Sequence, residues 1–248
     1  MNSGNRLILT GVACLAAVVC LPWPGRAEGI ASTEAANPKY EGCRGVLLAM
    51  IDDFERDDLG ALKSLYYADP ATGQETLDEA RIGAELDLAS YRVVKTSVGH
   101  FGTSAEGLSP MDSKNSEAVA LDLLARLRPE DLQDRGDEVV VVPPEDRSPG
   151  LWPHPIYFRQ VGNDWKIDIG RTLRYEYKIV RINPVAGESK QQTLDRCIHE
   201  VAEKYNVIAD DIDKGKITDV IAVQARMDEV FVELASEYRQ INLETLPR

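Results

Sequence analysis

The chain has 248 residues and a formal net charge of −13, with 41 acidic residues against 28 basic ones. That length suits one elaborated domain or two small ones. Phosphate recognition needs a clustered basic surface, and no Lys/Arg cluster is present, so composition excludes nucleic acid as a partner; the acidity reads as solubility.

Residues 1–27 read as an export signal. MNSGNR carries a positive charge, Leu7 to Leu21 is apolar or small, Pro22 and Pro24 end the run, and small residues at Gly25 and Ala27 place cleavage between Ala27 and Glu28. A retained anchor is the rival reading, because the uncharged stretch Leu7 to Gly25 approaches the about 20 residues that span a bilayer. Its internal Thr10 and Gly11 and its small-residue exit favour cleavage. Cys14 and Cys20 lack the leucine and small residue that precede a lipid-bearing cysteine. The mature chain is therefore expected to be exported, periplasmic or secreted, with no stable membrane insertion. Losing Arg6 and Arg26 takes its formal charge from −13 to −15.

Residues 28–42 are mostly small and polar with no period, a flexible lead-in. From Val46 onward Leu47, Met50 or Ile51, and Phe54 recur at helical spacing, and Leu59, Leu62, Leu65 and Tyr66 resume after ERDD. Two helices are expected to meet near Asp57, with Asp57 or Asp58 capping the second and Asp69-Pro70 closing it. Leu77, Ala84, Leu88, Tyr91 and Val98 form the core stripe of a long helix ending near Gly99; Val119, Leu123 and Leu127 mark a shorter one over 116–127.

The period then drops to two. Val139 to Val142 predicts a strand covered on both faces. In IYFRQVGNDWKIDI, Gly162-Asn163 predicts a two-residue hairpin turn that sets Gln160 opposite Trp165, Phe158 opposite Ile167 and Ile156 opposite Ile169. Leu173 to Ile179 alternates as one more strand of a curved antiparallel meander. Helical spacing returns through Ile198, Val201, Tyr205, Ile208 and Ile212, and again from Met227 to Ile241, giving an antiparallel hairpin joined at Asp213–Lys216.

Between those last helices ADDIDKGKITDVI invites a calcium reading. With Gly215 at the loop glycine, Ile212 and Lys214 fall on ligand positions and Ile221 takes the place of the bidentate Glu; starting one residue later puts Lys216 and Ala222 where Gly and Glu belong. Calcium fails in both registers, and Gly215 reads as a left-handed helix stop followed by Thr218 or Asp219 as the next start. HEVAE at His199 lacks the second histidine of a zinc-protease helix, and His100, His154 and His199 share no grouping. GTSAE at Gly102 lacks the closing glycine of a nucleophile elbow, and no phosphate loop is present. Asp52-Asp53 and Asp57-Asp58 read as solvated faces. No catalytic residue, cofactor or metal follows from any of these. Cys43 and Cys197, each near a predicted helix start, leave two readings open: a bridge that stabilises by about 3–5 kcal/mol, or two separate buried thiols.

LLAMIDDFERDDLGALKSLYYAD and YFRQVGNDWKIDI together resemble the opening helices and late hairpin of the nuclear transport factor 2-like (cystatin-like cone) superfamily, in its exported bacterial members. The resemblance implies an α+β fold: a curved antiparallel sheet packed on a long helix, cone-like over 43–182, with a C-terminal helical hairpin over 190–242 packed on it. It further implies a cone that holds a small apolar ligand, its lining here being Ile156, Phe158, Gln160, Trp165, Ile167 and Ile169, while Lys166 and Asp168 face outward. Family functions range from isomerase and dehydratase to non-catalytic binding and dimerisation. With Gln160 the only polar side chain of that lining, the expected function is non-enzymatic binding of a small apolar molecule or a protein partner. A cone-type isomerase or dehydratase and a structural oligomerisation module are the alternatives. Intact-mass measurement of the exported protein is expected to give a chain that starts at Glu28.

Overall fold

The structure, a computed structural model, describes residues 37–70, 73–105, 108, 116–142, 154–172, 178–181, 187–237 and 242–245. The expected cleavage position, between Ala27 and Glu28, lies outside these residues. The chain is α+β, with a five-stranded mixed sheet and a helix of 18 residues packed against it. Its residues fall into two compact units. One holds the described residues within Leu15–Ala84 and Lys114–Tyr175, and the other those within Glu85–Ser113 and Glu176–Arg248.

The sheet unit opens with α1 (Pro38–Glu55), which starts inside the stretch 28–42 that the sequence assigns to a lead-in. The cause is local: the Asn37 side chain accepts from the amides of Lys39 and Tyr40, and Pro38 fits the first turn. Helix α2 (Leu59–Ser64) follows, capped by Asp58, whose Oδ1 accepts from Ala61 N at 2.9 Å. Between them Asp57 takes φ +59°, while Asp57 N bonds to Phe54 O and Asp58 N to Asp53 O, the two bonds of a Schellman stop with aspartate where glycine is usual. Tyr66 does not continue α2 as its spacing suggests. Tyr66–Tyr67 is β1, an edge strand parallel to β5 (Asp164–Asp168), tied to it by Ile167 N donating to Leu65 O at 2.9 Å.

The rest of the sheet is the antiparallel meander expected from the sequence: β2 (Leu132–Asp134), β3 (Glu138–Val141), β4 (Ile156–Val161) and β5, in the order β1-β5-β4-β3-β2. All four residues of β3 are buried. The β4–β5 turn is Gly162-Asn163 with φ +64° at Gly162, and it pairs Gln160 with Trp165 and Phe158 with Ile167. The third expected pair does not form. Ile169 begins the one-turn helix α5 (Ile169–Thr172), and Ile156 pairs with Val141 instead. Helix α1 covers the apolar face, and α4 (Ser116–Arg126) packs on α1. Lys39 Nζ donates to Asp134 Oδ1 and Gly136 O, and Tyr40 OH to Leu127 O, fastening the start of α1 to the β2–β3 turn and the segment after α4.

The long helix α3 (Gln74–Phe101) is as expected and ends against Gly102 at φ +66°. Its residues from Glu85 belong to the helical unit with α6 (Lys190–Asp213) and α7 (Val220–Glu237), which pack together. Ile198, Val201, Tyr205, Ile208 and Ile212 are buried along α6, as are Val223 and Met227 on α7. Gly215 sits at φ +68°, with Gly215 N bonded to Ile212 O and Lys216 N to Asp211 O, and Asp219 caps α7 through Ala222 N. The ADDIDKGK stretch is therefore a helix stop; Lys214 and Lys216 themselves occupy Asp210 and Asp211. One sequence reading is corrected: Lys178–Arg181 (β6) pairs with Asn242–Thr245 (β7) in a separate two-stranded sheet instead of extending the meander. Residues 238–241 of the predicted last helix lie outside the described residues. Residues 173–177 of the predicted strand lie outside the described residues.

Cys43 belongs to the sheet unit and Cys197 to the helical unit, and both are buried. Burial pushes the Cys43 thiol up to about 12. One residue earlier, a Cβ on Gly42 would lie 2.3 Å from the Trp165 indole, so glycine lets α1 rest on the sheet. Gly42→Ala is expected to destabilise by about 1–2 kcal/mol, overpacking outweighing the gain in helix propensity, and Trp165→Leu in the same chain should recover part of the loss. Denaturant midpoints of the three chains check this.

Candidate functional site

The pleat sends alternate residues of β4 and β5 to opposite faces of the sheet. Ile156, Phe158, Ile167 and Ile169 are 4%, 1%, 7% and 7% exposed, which makes them core; Trp165 is half-buried on Gly42, and Gln160 is exposed. Four of the six residues expected to line a ligand hollow are thus packed, and the register that places Phe158 and Ile167 is the predicted one.

The other face is where the structure departs from the sequence reading. Asp168 points away from the apolar face as expected, yet only 2% of it is exposed, and Glu138 on β3 is buried as well. Two short elements cover this side. Tyr67 of β1 lies opposite Asp168, and α5 turns back over the end of β4. Asp168 starts that turn by accepting from Arg171 N at 3.2 Å through Oδ1, and Thr172 Oγ1 accepts from Tyr157 N at 3.0 Å. A side chain thus satisfies a strand amide just where β5 has stopped.

Two guanidiniums join the carboxylates. Arg159 donates from Nε to Asp168 Oδ2 (3.4 Å) and from Nη2 to Glu138 Oε2 (3.1 Å), and lies 3.7 Å from Asp137. Arg171 Nη1 also donates to Glu138 Oε2. Arg135 approaches Glu138 at 3.7 Å. The two cations stack on aromatic faces, Arg159 5.5 Å from the Tyr67 centroid and Arg171 4.6 Å from that of Tyr157. Arg135, Arg159 and Arg171 balance Asp137, Glu138 and Asp168, so the cluster is formally neutral. Burial raises the Asp168 carboxyl above its usual range, the Arg171 amide and the Arg159 charge acting against it.

Guanidiniums do not give up protons in proteins, so proton exchange here falls to the carboxylates, and each of these is held by arginine. Asp53 on α1 is a second buried acid. It was expected to be solvated, but the chain folds it inward against Arg56 Nη2 at 2.8 Å, and desolvation again raises it.

The other motifs find structural uses. His199 Nδ1 faces Glu85 Oε1 at 2.6 Å and its Nε2 faces Glu203 Oε1 at 3.4 Å; opposite ring edges meet different acids, so one ion cannot take both nitrogens. Among the described residues no group of three or more His, Cys, Asp or Glu is placed to hold a metal. Ser104 donates to Phe101 O at 2.8 Å in the 3-10 turn Gly102–Ala105, a local bond rather than a nucleophile's. Among the described residues no helix is long and apolar enough to cross a membrane.

Sequence reasoning missed the arginine–carboxylate cluster because Tyr157, Arg159, Lys166 and Asp168 alternate as a solvent face would. The signal for its cover was the pair Ile169-Gly170, where a two-residue alternation gives way to a turn. No protein-family model, curated protein or solved structure matches the chain.

An acid whose folded pKa lies above its unfolded value contributes stability below the ordinary value, 3.8 for Asp, and gives it up as pH climbs through the raised folded value. Asp168→Asn is therefore expected to flatten the fall in stability between about pH 4 and about pH 7, read from urea midpoints of both chains across that range.

Proposed function

We propose that this chain is an exported, non-enzymatic binding protein, a cone-like relative of the nuclear transport factor 2-like superfamily whose partner surface is the outer side of α6 and α7. The observation that carries this reading is the use of the sheet's apolar face. Phe158 and Ile167 are core, and Trp165 lies on α1, so the side chains that would grip a small apolar molecule are engaged within the chain. Large apolar side chains are instead offered to solvent on the helical pair. Ile221 is 82% exposed and Val232 65%, about three turns apart on one face of α7, and Val207 of α6 is 54% exposed. Acids crowd the same helices, Glu203, Asp210, Asp228 and Glu229 being exposed, which suits a partner with both apolar and basic side chains.

A second reading, a cone-type isomerase or dehydratase, draws support from Asp168, a buried carboxyl raised above its usual range. Its neighbours are two guanidiniums and a tyrosine ring instead of an apolar hollow, and this favours the binding reading.

Chemical crosslinking in a host that exports the chain tests the proposal. The wild type is expected to yield an adduct that the double variant Ile221→Asp, Val232→Asp loses by about tenfold or more. Native mass spectrometry of the same material is expected to show no retained small molecule. A stoichiometric apolar ligand, or an adduct unaffected by the double variant, would overturn the reading.

A further inference from the structure

Three side-chain contacts join α3 to α6 within the helical unit. Glu85 meets His199, Arg92 Nη1 donates to Asn206 Oδ1 at 2.9 Å, and His100 Nε2 meets Asp213 Oδ1 at 3.0 Å. The sequence separations are 114, 114 and 113 residues. Nearly constant separation, rising on both helices together, means that α3 and α6 run parallel in fixed register. Successive rungs lie about two turns apart, so all three fall along one face of each helix.

The end rungs are both His–carboxylate and the middle one is not. They are also crossed, the histidine belonging to α6 at one end and to α3 at the other. We propose that this ladder is a pH-sensitive clamp, in which protonated His199 holds α6 in register against α3 and its deprotonation loosens it.

The pair of acids at His199 carries the proposal. Its Nδ1 is hydrogen-bonded to Glu85 at 2.6 Å and its Nε2 lies 3.4 Å from Glu203, so acids stand at both edges of the ring, an arrangement that favours the imidazolium, the form with two N–H groups. The third acid near this ring is Glu200, on the same helix, which Arg196 also reaches. At the other end His100 faces Asp213, with the Phe101 ring 6.1 Å away; Lys214, bonded to Asp210, also acts on the Asp213 charge. The His199 imidazole reaches solvent, its side chain 58% exposed, so bulk pH sets its charge. The Arg92–Asn206 rung holds the register while the His199 rung changes.

The sign follows from linkage. His199 is raised above its ordinary 6.5, first by its hydrogen bond to Glu85, so its contribution is complete below 6.5 and is lost as pH rises through the raised folded value. The inference concerns regulation and stands on the α3–α6 geometry alone, independent of the binding reading.

Hydrogen exchange of the exported chain, corrected for intrinsic rates, tests it at about pH 5.5 and about pH 8. The amides of α6 in the wild type are expected to open about two- to tenfold more at the higher pH, and those of the variant His199→Gln equally at both. Proton NMR of the His199 ring is expected to show a midpoint above 6.5 that Glu85→Gln lowers. Opening that ignores pH in the wild type, a full pH effect in the His199→Gln variant, or a His199 midpoint indifferent to Glu85→Gln would each overturn the clamp.

Discussion

A two-residue turn at Gly162 and Asn163 decides which side of the sheet meets α1. Strand side chains alternate, so a three-residue turn would set Phe158 opposite Asp168 and break the apolar face along the ribbon. Three consequences hang on the chosen register. Trp165 reaches the face of α1 at the one place where Gly42 gives it room, β3 receives an apolar partner at Val139, and both arginines arrive beside buried acids. The turn is thus the local choice with the longest reach in the sheet unit.

The ion cluster that results is costly to keep. Carboxylates lose hydration at Asp168 and Glu138, and single guanidinium contacts would not offset it; two arginines, a helix-start amide and two aromatic faces together nearly do. In return the chain gains geometry. Asp168 ends β5 and starts α5 in one residue, and α5 brings Thr172 to the amide of Tyr157. The polar network so fixes where the last strand stops, a task that apolar packing does without direction.

Much of this was legible in the residues. The hairpin, the buried β3 run, the long helix to Phe101, and the stop at Gly215 each follow from local rules about turns, alternation and caps. What escaped has a common physical cause: it depends on partners distant in sequence. Tyr66 has helical spacing yet forms a strand with Tyr67 because β5 offers a parallel edge, and Lys178–Arg181 leaves the meander because Asn242–Thr245 pairs with it. Asp53 and Asp168 read as solvated because charge and alternation say so, whereas burial is decided by what folds over them. The early start of α1 is the exception, for Asn37-Pro38 is a local signal overshadowed by the scarcity of apolar residues over the first turns. The candidate site was legible residue by residue on its apolar face and almost not at all on its charged one.

Cys43 sits next to Gly42, on the helix that the indole rests upon. With its thiol pushed up to about 12, only about one molecule in a hundred thousand carries a thiolate at neutral pH, and that one is walled in. Oxidants and alkylating agents therefore wait on the chain itself: each modification of this sulfur records a moment when the packing around α1 opened. The protein carries its own clock for that motion, wound by the same close approach that keeps the helix down.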